Sequence, residues 1–238
     1  MSQTREASLS CEDPLTYLPR KPLYEVARGR GIYDSENPAD SLYVVIQGRV
    51  KITRVADDGC QTVVAIVRED GLFGESCMVH SPLRNETAVA LDKVTVMSWT
   101  EEQIEEQIER NPRLGWALSQ YMVRKCIELQ DRIESMAACK TPERVMLAMV
   151  QLGTELGTAM TDGSMRVPGL THATIAEYVG TSREIVTFQM NRLRRLGMLR
   201  YSRKHIDVYV DAIENDLRQN RITLSRFPAV QRGGAQSG

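Results

Sequence analysis

No apolar run in this chain of 238 residues approaches the roughly 18 residues that a membrane-crossing helix requires. No basic-then-apolar segment opens it either, so the expectation is a cytoplasmic protein with no membrane partner. The five cysteines, at positions 11, 60, 77, 126 and 139, are scattered and odd in number, which argues against a disulfide framework. Without a CxxC pair there is no structural zinc site. A nucleophile–base pair and a metal-ligand cluster are missing as well. The expectation is therefore no catalytic residue, no metal and no enzyme; a rival reading, an enzyme carrying a regulatory module, has little room left for its catalytic domain. With 42% hydrophobic and 26% charged residues, what remains is an ordinary soluble chain of one large or two modest domains.

The near-neutral total charge hides an uneven distribution. Residues 1–138 carry 16 basic and 22 acidic side chains, and residues 139–238 carry 14 and 9. A polyanionic partner therefore belongs to the back half.

Within that half, the stretch 170–199 pairs two short helical patterns. Ile175, Ala176 and Val179 precede Gly180; Val186, Met190, Leu193 and Leu196 follow it. Thr171 is a suitable N-cap for the first helix, and Thr181-Ser182-Arg183-Glu184 reads as a capping box for the second. Ala176 permits a close crossing and Gly180 a tight turn, the combination of a helix-turn-helix. If the apolar set faces inward, Arg183, Glu184, Thr187, Phe188 and Asn191 face outward from the end of a helix that enters a major groove. Arg suits guanine, Glu accepts from cytosine, Thr or Phe meets a thymine methyl and Asn pairs with adenine. Asn191 to Lys204 adds six basic residues and no acidic one, a footprint for phosphates. The candidate DNA-binding residues are thus Thr171, His172, Ser182, Arg183, Glu184, Thr187, Phe188, Asn191, Arg192, Arg195, Arg203 and Lys204. Two apolar runs at 198–201 and 206–210 flank a turn and make the domain winged.

The front half has a different texture. Short β-rich runs at 42–46, 48–53, 62–67 and 94–97 alternate with turn signals every ten or twelve residues, which predicts an antiparallel barrel or roll. A short acidic helix capped by Thr100 follows, then a long one from Asn111-Pro112. On the long helix Met122, Cys126, Leu129, Ile133 and Met136 alternate by four and three, a coiled-coil seam for a homodimer. The expected fold is α+β: a mobile arm at 1–21, an antiparallel β-roll at 22–110, a dimerisation helix at 111–138, a winged helix-turn-helix at 139–213 and a polar tail at 214–238. The hinge falls at 138–142, and 153–169 is loop with a short strand near 165–167.

Three stretches carry a resemblance over about residues 22–212: Asp40-Ser-Leu-Tyr-Val-Val-Ile-Gln-Gly-Arg-Val; Gly71-Leu-Phe-Gly-Glu-Ser with Arg84 and Ala88-Val-Ala; and Ile175-Ala-Glu-Tyr-Val-Gly-Thr-Ser-Arg-Glu. The chain resembles bacterial transcription regulators of the cyclic-AMP receptor protein/FNR family. The resemblance implies a cyclic-nucleotide-binding-like roll, a homodimer on a pseudo-palindromic site in double-stranded DNA, and contact with RNA polymerase. It also implies a ligand set of Gly74, Glu75, Ser76, Arg84 and Asn85, with Leu129 and Gln130 toward a purine base. Cyclic AMP, or another small anion such as a dicarboxylate held by Arg84 and Lys125, is then the candidate effector.

Departures from the family pattern leave this open. Asn85 and Glu86 stand where Ser and Ala are expected, and an inward Glu86 would repel a phosphate. A roll without ligand, with Gly74, Glu75 and Arg84 as a buried turn and salt bridge, is the competing reading. A haem or thiol sensor using Cys77, His80 or Cys126 is another, and a nucleotide-binding module that no longer binds DNA is a third. An iron–sulfur sensor is discarded because Cys11 stands alone near the N-terminus. Phe188 replaces the second Arg of the family reader, which predicts a relaxed guanine preference in favour of a thymine methyl.

Overall fold

A computed structural model describes residues 11–57, 59–202 and 204–219. The N-terminal part holds eight strands: β1 (Tyr24–Val26), β2 (Gly31–Tyr33), β3 (Ser41–Gln47), β4 (Val50–Val55), β5 (Gln61–Val67), β6 (Leu72–Phe73), β7 (Thr87–Ala90) and β8 (Val94–Thr100). They form two antiparallel sheets, ordered β1-β8-β3-β6 and β2-β7-β4-β5. Alternation splits these strands between two cores: in β8 Val94 and Val96 point between the sheets and Met97 and Trp99 to the opposite face, and in β3 Val45 points between the sheets and Leu42 and Val44 to the opposite face. Between the sheets Val45, Val50, Phe73, Ala88 and Val96 make one core. All four expected strands are present. The four unforeseen ones are two to four residues long, too short to show a period.

The roll leads into α1 (Glu101–Arg110), whose Thr100 and Gln103 form a reciprocal capping box. Next come α2 (Arg113–Ala138) and α3 (Thr141–Leu156). A second core lies between the roll and α1 and α2, built from Leu42, Leu72, Cys77, Trp99, Leu114 and Leu118. Residues 11–21, expected as part of a mobile arm, belong to it. Leu18 is buried there, the Trp99 indole donates to Pro19 O at 2.8 Å, and Glu12 N donates to the Gln120 side chain at 2.9 Å. The break between α2 and α3 is only Cys139-Lys140, narrower than the expected hinge. Pro142 sits in the first turn of α3, where its missing N–H costs nothing.

The C-terminal domain continues with β9 (Thr158–Ala159), β10 (Met165–Pro168), α4 (His172–Val179), α5 (Arg183–Arg195), β11 (Leu199–Tyr201), β12 (His205–Val208) and α6 (Val210–Gln219). The expected tail therefore starts too early: Ile213 and Leu217 of α6 are buried against α3, and residues 214–219 belong to the domain. Residues 1–10 and 220–238 lie outside the described residues.

The two domains touch through β5 and α4. Val63 and Ile66 of β5 join the C-terminal core. Arg132 of α2 donates to Val63 O (2.6 Å), Val64 O (2.8 Å) and Tyr178 O, with its guanidinium 4.3 Å from the Tyr178 ring centroid. Lys51 pairs with Glu177 at 2.9 Å, and Arg49 donates to Pro168 O at 3.1 Å. Near this junction Glu155 of α3 is held away from water beside Glu128. Burial first, and then the Glu128 charge, push its carboxyl up to about 7 against the pull of Lys125, Arg132 and Arg68. Because the folded value lies above the ordinary one, the folded chain holds this proton more tightly. Stability should fall as pH rises from about 4.5 through 7 and level off above. Glu155→Gln is expected to remove that slope and raise stability at pH 8 by on the order of 1 kcal/mol, measured as the urea midpoint.

Candidate nucleic-acid interface and effector cassette

The reader assembles much as the spacing implied. Thr171 Oγ1 accepts from Thr174 N at 3.0 Å, Gly180 adopts φ +72°, and Ile175, Ala176, Val179, Val186, Met190 and Leu193 are buried. Two details differ. The cap of α5 is Ser182, accepting from Ile185 N at 3.3 Å, so the box expected from Thr181 does not form and Glu184 is a first-turn carboxylate. Hydrogen bonding to its own backbone N–H and to Ser182 holds that carboxyl below the usual range. Leu196 is 55% exposed because α5 ends at Arg195; the buried Gln189 takes a place on the inner face instead.

Thr171, Ser182, Arg183, Glu184, Arg192, Arg195 and Lys204 are exposed, and Phe188 is 61% exposed. Arg203 lies outside the described residues. Thr187, His172 and Asn191 are half-buried, and each is tied down. Thr187 Oγ1 donates to Arg183 O at 2.8 Å and lies 2.9 Å from His172 Nδ1. The Asn191 side-chain oxygen accepts from the Tyr201 hydroxyl at 2.7 Å. Tyr201 itself stands edge-on to His172, centroids 5.8 Å apart, with the Arg194 guanidinium 5.3 Å from its ring. Tyr201 was not among the sequence candidates, since nothing in the spacing of a hairpin residue reveals that it touches the reader. Below the wing, Arg166 makes a two-point pair with the buried Asp207 at 2.6 and 3.1 Å, which fixes β10 to β12.

On α2, Cys126, Leu129, Ile133 and Met136 are exposed as a seam requires, whereas Met122 is half-buried against the roll core. Trp116 and Val123, missed from the sequence, extend the exposed apolar residues toward the start of the helix; each is 59% exposed.

The effector cassette is folded onto itself. Arg84 is buried beneath the Tyr33 ring, 3.9 Å from its centroid, and donates to Ser41 O (2.8 Å) and Gly74 O (3.3 Å). Phe73 stacks on Tyr33 and on Tyr43, whose own rings are tilted by 41°, with centroids 5.1–6.0 Å apart. Glu86 faces in and accepts from the Tyr33 hydroxyl at 2.7 Å. Burial and this carboxylate push the Tyr33 hydroxyl far above its ordinary value, so it stays a donor. Glu75, a member of the implied ligand set, lies 3.8 Å from Lys125. Leu129 and Gln130 are exposed on α2. Two atoms, Arg84 Nε and Ser76 Oγ, are buried without a hydrogen-bond partner among the described residues, the one feature inviting a polar guest. The rest does not fit a cyclic nucleotide: the Arg84 η-nitrogens, the Glu75 carboxylate and the ring-lined interior all have protein partners, and Glu86 adds a negative charge. Asn85 makes no hydrogen bond in the cassette among the described residues.

The haem reading also lacks a common site. Cys77 is buried in the core facing α2, and burial pushes its thiol up to about 11, whereas His80 is exposed and its Nδ1 lies 2.6 Å from Glu101.

A nucleotide-type roll, a long helix and a winged helix-turn-helix with a cationic outer strip define a DNA-binding regulator. Residues 24–111 match the cyclic nucleotide-binding domain model, and residues 143–211 match the Crp-like helix-turn-helix domain model. The global nitrogen regulator of Nostoc sp. is 28% identical over 184 residues, covering 76% of this chain and 82% of the relative. The CRP-like cAMP-activated global transcriptional regulator of Mycobacterium tuberculosis is 28% identical over 180 residues, covering 75% and 80%. FixK2 from Bradyrhizobium japonicum shares the fold at a TM-score of 0.71 and 20% identity, covering 82% of this chain and 96% of that one. The chain belongs to the cyclic-AMP receptor protein/FNR family of transcription regulators.

Proposed function

We propose that two copies of this chain pair along the exposed face of α2 and insert their α5 helices into successive major grooves of a pseudo-palindromic promoter site. The observation that carries this reading is the outer strip of α5. Arg183 and Glu184 lie open at its N-terminus, Phe188 follows one turn on, and Arg192, Arg195 and Lys204 surround them. Base edges are read by the first group and phosphates by the second. The dimer rests on Cys126, Leu129, Ile133 and Met136, whose exposure on an isolated copy is costly in water and is relieved by a second helix. The regulator would act in the cytoplasm and meet RNA polymerase beside the promoter. Its roll works as a closed scaffold and not as a nucleotide sensor, because Arg84 is already committed to protein carbonyls.

Selection from random duplex DNA, followed by mobility shift at 50 and 200 mM salt, tests the reading. A two-fold-symmetric site should emerge, and its affinity should drop by roughly 10³-fold or more across that range if each subunit neutralises about three phosphates. No selected site, or salt-insensitive binding, would sink it. Sedimentation of the free protein should give a dimer.

A further inference from the structure

The reader carries a chain of contacts that its DNA-facing role does not by itself explain. It runs from Arg183 through Thr187 and His172 to Tyr201 and Asn191, linking α5 to α4 and to the wing. We propose that His172 and Tyr201 are specificity-determining positioning residues: by holding the side-chain oxygens of Thr187 and Asn191, they make Thr187 read a pyrimidine 5-methyl group and Asn191 read an acceptor edge rather than adenine. The proposal rests on the DNA-binding reading above.

A threonine hydroxyl has one proton and two lone pairs. The Thr187 proton is spent on Arg183 O at 2.8 Å, the local back-bond typical of helical threonine. At the 2.9 Å contact the donor must then be His172 Nδ1–H. Thr187 keeps no proton for a base and has one lone pair taken by His172, so its γ-methyl is the larger part of what remains for the groove. Beside it stands the exposed Phe188 ring, also apolar. The apolar feature of the major groove is the 5-methyl of thymine, which 5-methylcytosine shares.

Asn191 is biased in the other direction. Selective pairing with adenine needs the amide oxygen to accept from N6 while the amide nitrogen donates to N7. Tyr201 already donates to that oxygen at 2.7 Å, and the amide nitrogen has no partner among the described residues. The second lone pair of that oxygen stays open, but the Tyr201 bond turns the oxygen toward the wing, so the group offers chiefly its donors, which suit guanine O6/N7 or thymine O4. Tyr201 cannot swing away cheaply, because it is braced by His172 and Arg194.

The experiment selects sites from random DNA with the full-length wild type, Tyr201→Phe, Thr187→Val and Thr187→Ser, and records melting curves for each. Tyr201→Phe keeps the ring and frees the Asn191 oxygen. It should move one base position per half-site toward adenine by about fivefold or more, leaving the other positions and the salt slope unchanged. Thr187→Val should keep the thymine preference; Thr187→Ser should lose it. On the selected site, uracil in place of that thymine should weaken wild-type binding, and 5-methylcytosine in place of cytosine should strengthen it, so that binding follows the methyl group. An unchanged site for Tyr201→Phe, or a preference that Thr187→Ser keeps and Thr187→Val loses, would overturn the proposal while leaving DNA binding intact. A wild type that selects no site would overturn both.

Discussion

Arg84→Leu is expected to lower the melting temperature of the ligand-free protein by roughly 6–12 °C, at about 2–4 °C per kcal/mol for a chain of this size. The substitution leaves Ser41 O and Gly74 O without their donor and removes the cation beneath Tyr33. Hydrogen bonds from a charged donor, and buried carbonyls left unmatched, together suggest a cost of about 3 kcal/mol. A residue kept for an incoming phosphate would behave otherwise. Its removal would relieve an unpaired charge and leave the ligand-free protein as stable or more so. The companion measurement is the wild type with millimolar cyclic AMP. A working pocket at about a hundred times its dissociation constant gains about 2.7 kcal/mol, a rise of roughly 5–11 °C. The closed cassette predicts no rise. Scanning calorimetry of wild type and Arg84→Leu, each with and without nucleotide, gives opposite patterns for the two readings.

Arg183→Ala should weaken binding to the selected site by about a hundredfold or more while leaving the fold intact. Each two-point contact between Arg and guanine contributes about 1–3 kcal/mol of discrimination, and a dimer makes it twice. The side chain is exposed in the first turn of α5, where a cation opposes the helix dipole, so its loss costs no stability. The reciprocal change, Phe188→Arg, should restore a guanine preference at the position one turn along the helix. Competition shifts against single-base variants measure both. An Arg183→Ala protein that binds its site undiminished would mean that α5 does not enter the groove N-terminus first.

Most of the architecture was legible because it rests on local periodicity. The inward set of α5 recurs at helical spacing, Gly180 marks the left-handed turn between α4 and α5, and the alternating β-runs announce a roll. Errors fell where a short element borrows its stability from elsewhere. Residues 11–21 have no pattern of their own and are ordered by Trp99 and Gln120. Residues 214–219 looked polar, yet two apolar side chains suffice to seat α6. Met122 follows the seam spacing but lies at the end where α2 leans on the roll. Helical spacing identifies a face; what covers that face depends on a neighbour distant in sequence.

The sequence by itself determined the class of this protein, its two-domain order and the residue types on the reading helix, because hydrophobic period, capping residues and charge asymmetry act over a few residues. Only the tertiary structure decided whether Arg84 faces a ligand or the protein, and which atoms of Thr187 and Asn191 are left to read DNA. Those outcomes turn on partners tens of residues away or on another element: Ser41 and Tyr33 for Arg84, His172 and Tyr201 for the reader. A buried donor or acceptor takes the first partner of good geometry that the fold brings to it, and no spacing rule encodes which one that will be.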